Sequence, residues 1–384
     1  QGLARHLVPA AGVSAMPKAG KRAASPAKVS GEALPTSPEP VVEHPPYTCS
    51  CVQVPCKRRV EMASVAVVVS LIAVYFVLTA LALWFDFLYF RVVFLALVAW
   101  QILLDRSPET RGGRPVSWVR RIPLFQHVID YFPIEMVVEE PLDASKPHII
   151  AAHPHGIIGV GVIGNFAYDP SGQVARIGLD YRVCTVGIHF QLPLWREFIM
   201  ALGFVDVSRA SLNYLLGSGR SAVVVLGGAQ EALEAKPGVC RLVVEKRRGI
   251  IRMALAHGAR LVPCYTWGEN ELWGQVDNPE GSWLRWGQEA FKTLFKWSPV
   301  VIVGRGMFQY SVGILPFRRR LTTVLGKPLE MPRIESPTRE QIEEHQKRYI
   351  EALQALYERH NSRLHEETDP QGRRVSRATF EIVA

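Results

Sequence analysis

HIIAAHPHGIIGVGVIGN, residues 148–165, is the stretch that decides how this chain folds. Ile149 to Ala152 make an unbroken apolar run of the kind found in buried strands, and a second, glycine-spaced apolar run begins after Gly156. Between the two lie His153, Pro154 and His155. Pro154 fixes its own φ and biases His153 toward extended geometry, while Gly156 permits a sharp turn directly after the second imidazole. Both rings are therefore expected at the exit of a strand. Histidine titrates near neutrality, so either ring can act as general base toward a hydroxyl that is otherwise too weak a nucleophile. A plainer reading makes one of them a turn residue bonded to backbone. A metal site is a third reading, because residues i and i+2 of a strand share a face. No cysteine or carboxylate stands at ligand spacing nearby, so no metal is expected.

Gly159, Gly161 and Gly164 spell G-x-G-x-x-G after the strand, and Asp180 follows at a distance compatible with a ribose-binding acid. In a dinucleotide fold the first glycine makes the tight strand-to-helix turn. Here His153 to Gly156 already occupies that turn. The glycines are read instead as close packing of a helix on the sheet.

Downstream, Tyr181–Ile188 reads as a strand, Pro193–Leu202 and Ser211–Leu216 as helices, and Ser221–Leu226 as a buried strand ending in Gly227-Gly228-Ala229-Gln230-Glu231. Gly249–His257 makes a helix stopped by Gly258, followed by the strand Arg260–Tyr265. Val300–Val303 and Leu321–Leu325 are further strands. This alternation predicts an α/β domain with a largely parallel sheet, which places ligands beyond the carboxyl ends of the strands. His153, His155 and Glu231 all fall at such ends. The last clear element opens at Thr338, with Gln341 at capping-box spacing; Ile342, Tyr349, Ile350, Leu353, Leu356 and Tyr357 then share one packing face.

Upstream, Ala63–Phe85 is a run of about 23 residues without charge, long enough to cross a bilayer as a helix. After Asp86, the residues from Phe87 to Leu104 can return through the membrane if Arg91 snorkels. Lys57, Arg58 and Arg59 precede this pair; Arg106, Arg111, Arg114, Arg120 and Arg121 follow it. The expectation is a membrane hairpin with both flanks in the cytosol. A single span and a buried core helix are the alternatives. Ile122–Pro133, which mixes aromatics with polar residues, is expected at the membrane interface. The division is then residues 1–56, disordered; 57–106, the hairpin; 107–365, the α/β domain; and 366–384, a flexible tail.

The chain has 384 residues, 48% hydrophobic, and a formal charge of +9. That is enough for one large core or two smaller ones, and the basic excess calls for an anionic partner such as a membrane surface or a phosphate-rich substrate. Nucleic acid is not expected, because the cations are dispersed and the long apolar segment argues for lipid. The chain begins at Gln1 rather than Met, and no hydrophobic run near it suggests a cleaved secretory signal. Six cysteines do not make a disulfide scaffold at this length; Cys49, Cys51 and Cys56 stand where juxtamembrane palmitoylation occurs.

Acyl transfer from a thioester to an alcohol needs a base, donors for an oxyanion, and cations or amides for the carrier's phosphates. His153 or His155 supplies the first, with His155 preferred. Backbone amides near Gly156 supply the second. Lys246, Arg247, Arg248, Arg305 and Arg318 to Arg320 are candidates for the third. There is no G-x-S-x-G elbow and no cysteine in a nucleophile context, so direct attack by the alcohol is expected rather than an acyl-enzyme.

His153-Pro154-His155-Gly156, preceded by Tyr131-Phe132-Pro133 and followed by the Gly227 to Glu231 motif, Arg247 to Asn270 and Gly304-Arg305-Gly306, resembles the type 2 diacylglycerol acyltransferase family. The likeness covers roughly residues 60–365. It implies an integral membrane enzyme of the endoplasmic reticulum and lipid droplets that uses acyl-CoA as a substrate and needs no cofactor. Its acceptor would be diacylglycerol, or monoacylglycerol or a wax alcohol as in sibling activities. The family's essential histidines carry over onto His153 and His155, and its acidic motif onto Glu231, in support of the histidine or the acceptor. Gly156 and Arg305 would meet substrate. The family's neutral-lipid stretch carries over onto Phe94, Leu95 and Leu97, with Gln101 in place of its asparagine. A homo-oligomer is kept open as a further partner. The rivals are a silent lipid-binding or droplet-coating protein and a nicotinamide-dependent membrane oxidoreductase.

Overall fold

Alternate side chains of the strand at residues 148–153 enter opposite apolar layers. Ile149 and Ala151 pack with one core cluster, Ile150 and Ala152 with another, and all four are fully buried. A strand covered on both faces reads as a continuous apolar run, which is why no polar residue interrupts it.

The computed structural model describes residues 54–84, 88–172, 177–279, 281–295, 299–308, 312–364 and 379–383. It opens with α1 (Cys56–Trp84) and α2 (Leu88–Leu103), then α3 (Ser117–Arg120) and α4 (Pro123–Tyr131). Strands β1 (Ile134–Val138) and β2 (His148–His153) follow, then the single turn α5 (Val160–Val162). Next come β3 (Tyr181–Thr185), α6 (Trp195–Ala201), β4 (Phe204–Asp206), α7 (Arg209–Gly217) and β5 (Ser221–Val225). After α8 (Ala229–Glu234) and β6 (Val239–Val243) come α9 (Arg248–His257) and β7 (Arg260–Trp267). The ribbon strands β8 (Gly274–Gln275) and β9 (Ile302–Val303) flank α10 (Trp283–Phe295), and β10 (Leu321–Leu325), α11 (Arg339–Leu364) and β11 (Thr379–Val383) close the chain.

Seven strands form one sheet in the order β1-β10-β7-β2-β5-β3-β4. All neighbours run parallel except β10 and β7. The largely parallel sheet expected from the alternation is therefore present, with β2 at its centre between β5 and β7. Helices α7, α9 and α11 cover one face, with Leu215, Ile251, Tyr349 and Leu353 inside the cluster. The α11 boundary is set by a reciprocal cap: the Gln341 amide donates to the Thr338 hydroxyl at 3.3 Å, and the Thr338 amide to Gln341 Oε1 at 2.9 Å.

The glycines after β2 do pack a backbone closely on the sheet. A Cβ at Gly161 would lie 2.5 Å from Thr266 Cγ2, and one at Gly164 2.3 Å from Ile134 Cδ1. Other expectations change. One face of Ile122–Pro133 belongs to the core: α4 buries Phe125, Val128, Ile129 and Tyr131, and the Phe125 ring stacks on Tyr168 at 3.9 Å. The strand expected at Val300–Val303 shrinks to the two residues of β9, paired with β8 outside the main sheet. β1, β4 and β6 went unread because they are short or interrupted by polar residues. Within the tail expected to be flexible, β11 pairs in parallel with β6.

Among the described residues α1 is the one helix long and apolar enough to cross a membrane by length and composition, with mean hydropathy 2.5 over its most apolar 18-residue window; α2 is shorter. Its first turns are docked on the domain, where Glu61, Ser64 and Val65 are buried. Residues 85–87, between the two halves of the expected hairpin, residues 1–53 with Cys49 and Cys51, and residues 365–378 lie outside the described residues, so the expected N-terminal disorder falls there too. Cys56 is exposed at the start of α1.

One contact tests the packing of the sheet. Gly268, directly after β7, has φ +88°, and a Cβ there would lie 2.1 Å from the Arg320 carbonyl oxygen. Gly268→Ala should therefore cost roughly 2 kcal/mol or more, from the strained φ and the displaced backbone together. Thermal unfolding of the detergent-solubilised protein reads this directly; an unchanged midpoint would contradict the close crossing.

Candidate active site

The site lies where the sheet order predicts, at the carboxyl ends of β2, β5 and β7. His153 ends β2 and is fully buried. Its Nε2 shares a 2.9 Å hydrogen bond with the Tyr349 hydroxyl of α11, and its Nδ1 has no hydrogen-bond partner among the described residues. Burial holds its pKa down at about 3, so the ring is neutral.

His155 is only half-buried. Its Nδ1 lies 3.1 Å from the Gly156 carbonyl. A carbonyl only accepts, so Nδ1 carries the proton and Nε2 presents a lone pair. Burial lowers the His155 pKa, and the Arg247 charge lowers it further.

Glu231 enters from the β5 side. Its Oε2 accepts from the His155 amide at 3.0 Å and its Oε1 from the Val243 amide at 2.7 Å. Gly227, at φ +90°, leaves room for the carboxylate to fold back, since a Cβ there would fall 1.9 Å from Glu231 Cδ. Burial raises the Glu231 pKa to about 7 against the pull of these two amides.

Glu269, which the sequence reading passed over, enters from the β7 side. Its two oxygens accept from the amides of Val160 and Gly161, each at 2.8 Å, and burial raises its pKa to about 7. Gly156 has φ +57°, and a Cβ there would lie 2.6 Å from Glu269 Cγ. The glycine is required by this carboxylate, and the space it opens is filled. Beneath the loop, Asn165 Nδ2 donates to the Gly161 carbonyl at 3.0 Å and to Thr323 Oγ1 at 2.9 Å, and Thr323 shares a further 2.9 Å bond with Thr266. Two signals pointed here: a Gly-Glu pair at a strand end, as with Gly228 and Glu231, and a tyrosine hydroxyl on the apolar face of α11.

The remaining candidates separate. Arg247 stands at the loop, its guanidinium donating to the Gly227 carbonyl, while Arg248 is paired with Glu343 at 3.1 Å and Lys246 is exposed. Arg305 lies against α1 instead, with Nη2 3.6 Å from Met62 Sδ. Arg318 bonds Glu61 of α1 and covers the Tyr131 ring at 4.8 Å; Arg320 pairs with Glu135 at 2.5 Å. Phe94, Leu95 and Leu97 sit on α2, whose described contacts run toward the β3–β4 edge: Gln101 donates to the Phe190 carbonyl at 3.0 Å, and Arg114 and Arg196 each cover Trp100 at 5.9 Å. Tyr131 is a core residue, donating to the Pro316 carbonyl at 2.7 Å. Among the described residues no group of three or more His, Cys, Asp or Glu is gathered to hold a metal.

Known proteins share this arrangement of sequence. The family model described as diacylglycerol acyltransferase matches residues 83–371. Diacylglycerol O-acyltransferase 2 of Dictyostelium discoideum is 39% identical over 312 residues, covering 80% of this chain and 94% of that protein. The human 2-acylglycerol O-acyltransferase 1 is 38% identical over 275 residues, 71% of this chain and 82% of that one. Among solved structures, the 1-acyl-sn-glycerophosphate acyltransferase PlsC of Thermotoga maritima overlaps 64% of this chain and 80% of its own at TM-score 0.37 and 13% identity. The class is an acyl-CoA-dependent O-acyltransferase. The chain belongs to the diacylglycerol acyltransferase family. That membership removes the silent lipid-binding and oxidoreductase readings.

The neutral state of His153 makes stability depend on pH. Its pKa falls from 6.5 to about 3 on folding, so the stabilisation is complete above pH 6.5 and is lost as pH drops from there toward 3. Glu231 and Glu269 act in the opposite sense between 4.5 and about 7. Thermal unfolding midpoints should fall more steeply below pH 6.5 in the natural protein than in His153→Gln, where both acids remain. Tyr349→Phe should cost about 1–3 kcal/mol at neutral pH by leaving the buried Nε2 unpaired. Parallel pH curves for the natural protein and His153→Gln would contradict the buried, neutral ring.

Proposed function

We propose that this chain is a diacylglycerol O-acyltransferase, moving a fatty acyl group from acyl-CoA to the free hydroxyl of diacylglycerol to give triacylglycerol. The observation that carries the reading is the 3.1 Å contact of His155 Nδ1 with the Gly156 carbonyl, which leaves Nε2 as the acceptor. The acceptor's hydroxyl proton passes to Nε2 as its oxygen attacks the thioester carbonyl. Collapse of the tetrahedral intermediate breaks the C–S bond, and His155 returns the proton to the departing thiolate. Among the described residues the amides of Gly156 to Ile158 have no acceptor in the chain and are the donors assigned to the oxyanion. Arg247, beside His155, is assigned to a phosphate of the carrier. Burial raises Cys184 and Cys264 far out of the thiolate range, which supports direct attack over an acyl-enzyme.

A second reading, with 2-monoacylglycerol as acceptor, is favoured by the near-equal identity to the human 2-acylglycerol enzyme. A wax alcohol is the third acceptor.

As part of the same proposal we assign the enzyme to the endoplasmic reticulum membrane, held by α1 and α2 as a hairpin with both flanks cytosolic, a reading supported by the one long apolar helix α1. Val68 and Val69 of α1 still pack on the domain core, and the part beyond them, from Leu71 to Trp84, is about 21 Å of helix at ~1.5 Å per residue, short of a ~30 Å hydrocarbon core. A hairpin that enters and returns fits that reach, and also suits the monolayer of a lipid droplet, which has no far aqueous side.

Microsomes from cells lacking neutral-lipid synthesis test the reading. Labelled acyl-CoA offered with diacylglycerol should label triacylglycerol, and His155→Ala should lower that rate by about 10²–10⁴-fold. Label mainly in the ester of monoacylglycerol or a fatty alcohol would move the acceptor assignment. Near-normal activity in His155→Ala would remove the base.

A further inference from the structure

Two carboxylates meet the histidine loop, and only Glu231 belongs to the acidic motif already assigned to catalysis. Glu269 is as deeply buried, and the groups that meet its carboxylate in the loop are backbone amides and a glycine. The amides of Val160 and Gly161 point at its two oxygens at 2.8 Å, and Gly156 gives up its side chain to the Glu269 methylene. The segment from Gly156 to Gly161 thus wraps around one internal anion. The loop encloses an anion-binding nest that the protein itself has filled.

We infer that Glu269 is a positioning residue: its carboxylate sets the shape of the loop that carries His155, from the side opposite Glu231. The inference rests on the reading of His155 as base. Glu269 does not touch that ring. It holds the backbone on the C-terminal side of the ring, while Glu231 holds the amide of the same residue. Without it, two inward amides lose their acceptors and the loop is free to turn them elsewhere, which carries His155 Nε2 away from the acceptor hydroxyl. Substrate binding to the cations and the apolar helices is not disturbed by this change.

Truncation also predicts its own cure. Glu269→Ala removes CH2–COO⁻, which is the size and charge of acetate. The vacated nest should take acetate from solution and recover its shape.

The experiment uses the full-length chain in detergent micelles with saturating acceptor. Glu269→Ala should lower kcat by about 10–100-fold, the scale expected of a misplaced base, with the KM for acyl-CoA held within about twofold. Added acetate should raise kcat several-fold and lift the thermal midpoint, whereas sodium chloride at equal ionic strength should do neither. Glu269→Gln, nearly isosteric, covers the case in which the alanine variant does not fold; it should lose kcat without a comparable rise in KM. Natural kcat in either variant would overturn the inference. So would acetate that lifts the midpoint of Glu269→Ala and leaves kcat unchanged, since the carboxylate would then serve stability alone. His155→Ala, assayed alongside, keeps the two ideas apart: activity surviving in it removes the base, whereas its loss together with natural kcat in Glu269→Ala removes only the positioning role.

Discussion

Backbone amides bonded to two buried carboxylates hold the site together. The loop after β2 is gripped at His155 by Glu231, which follows β5, and at Val160 and Gly161 by Glu269, which follows β7. β5 and β7 are the strands on either side of β2. The sheet order is thus what makes the clamp: each neighbour contributes one acid at its carboxyl end, and the central strand supplies the ring between them. Taking a carboxylate out of water costs several kcal/mol unless it is hydrogen-bonded, and amides at 2.7–3.0 Å offset much of that. The return is a loop whose shape is fixed before substrate arrives.

A second constraint ties the apolar helices to the same sheet. The first turns of α1 bond inward, Lys57 to Asp130 at 3.4 Å and Glu61 to Arg318, with Arg318 lying over Tyr131 of the buried α4. Glu61 is almost wholly buried, and a buried charge without its partner is strongly destabilising. The pairing therefore fixes the direction in which α1 leaves the domain. Arg305 and Arg318, which looked like phosphate ligands, are better accounted for here.

The centre of the fold was readable because it obeys one simple rule. An apolar run buried on both faces is a strand, and Gly227, Gly258 and Thr338 marked the turns and caps around its neighbours. The edges were not. β1 reads IEMVV and β4 has three residues, so neither shows a period that outweighs its polar members. In the α4 segment the aromatics suggested a membrane interface, while their helical spacing described a core face, which the buried Phe125 and Tyr131 occupy. Within the site, His153, His155 and Glu231 came from motif and strand end. Glu269 and Tyr349 act through contacts 108 and 196 residues away in sequence, so the local cues at each did not show what it would meet.

The low-dielectric setting of the candidate site moves its titratable groups in opposite directions. Burial lowers the pKa of His155, so the imidazole is already neutral below pH 6.5. The same burial raises Glu231 and Glu269 to about 7, where protonation turns an acceptor oxygen of each into a hydroxyl facing an amide N–H. Each acid uses both oxygens as acceptors, so each loses part of its grip when protonated. The ring thus keeps its neutral form further into the acid range than the two carboxylates keep both of their amide bonds. On the acid side the first groups of this site to change ionisation are therefore the two carboxylates rather than His155.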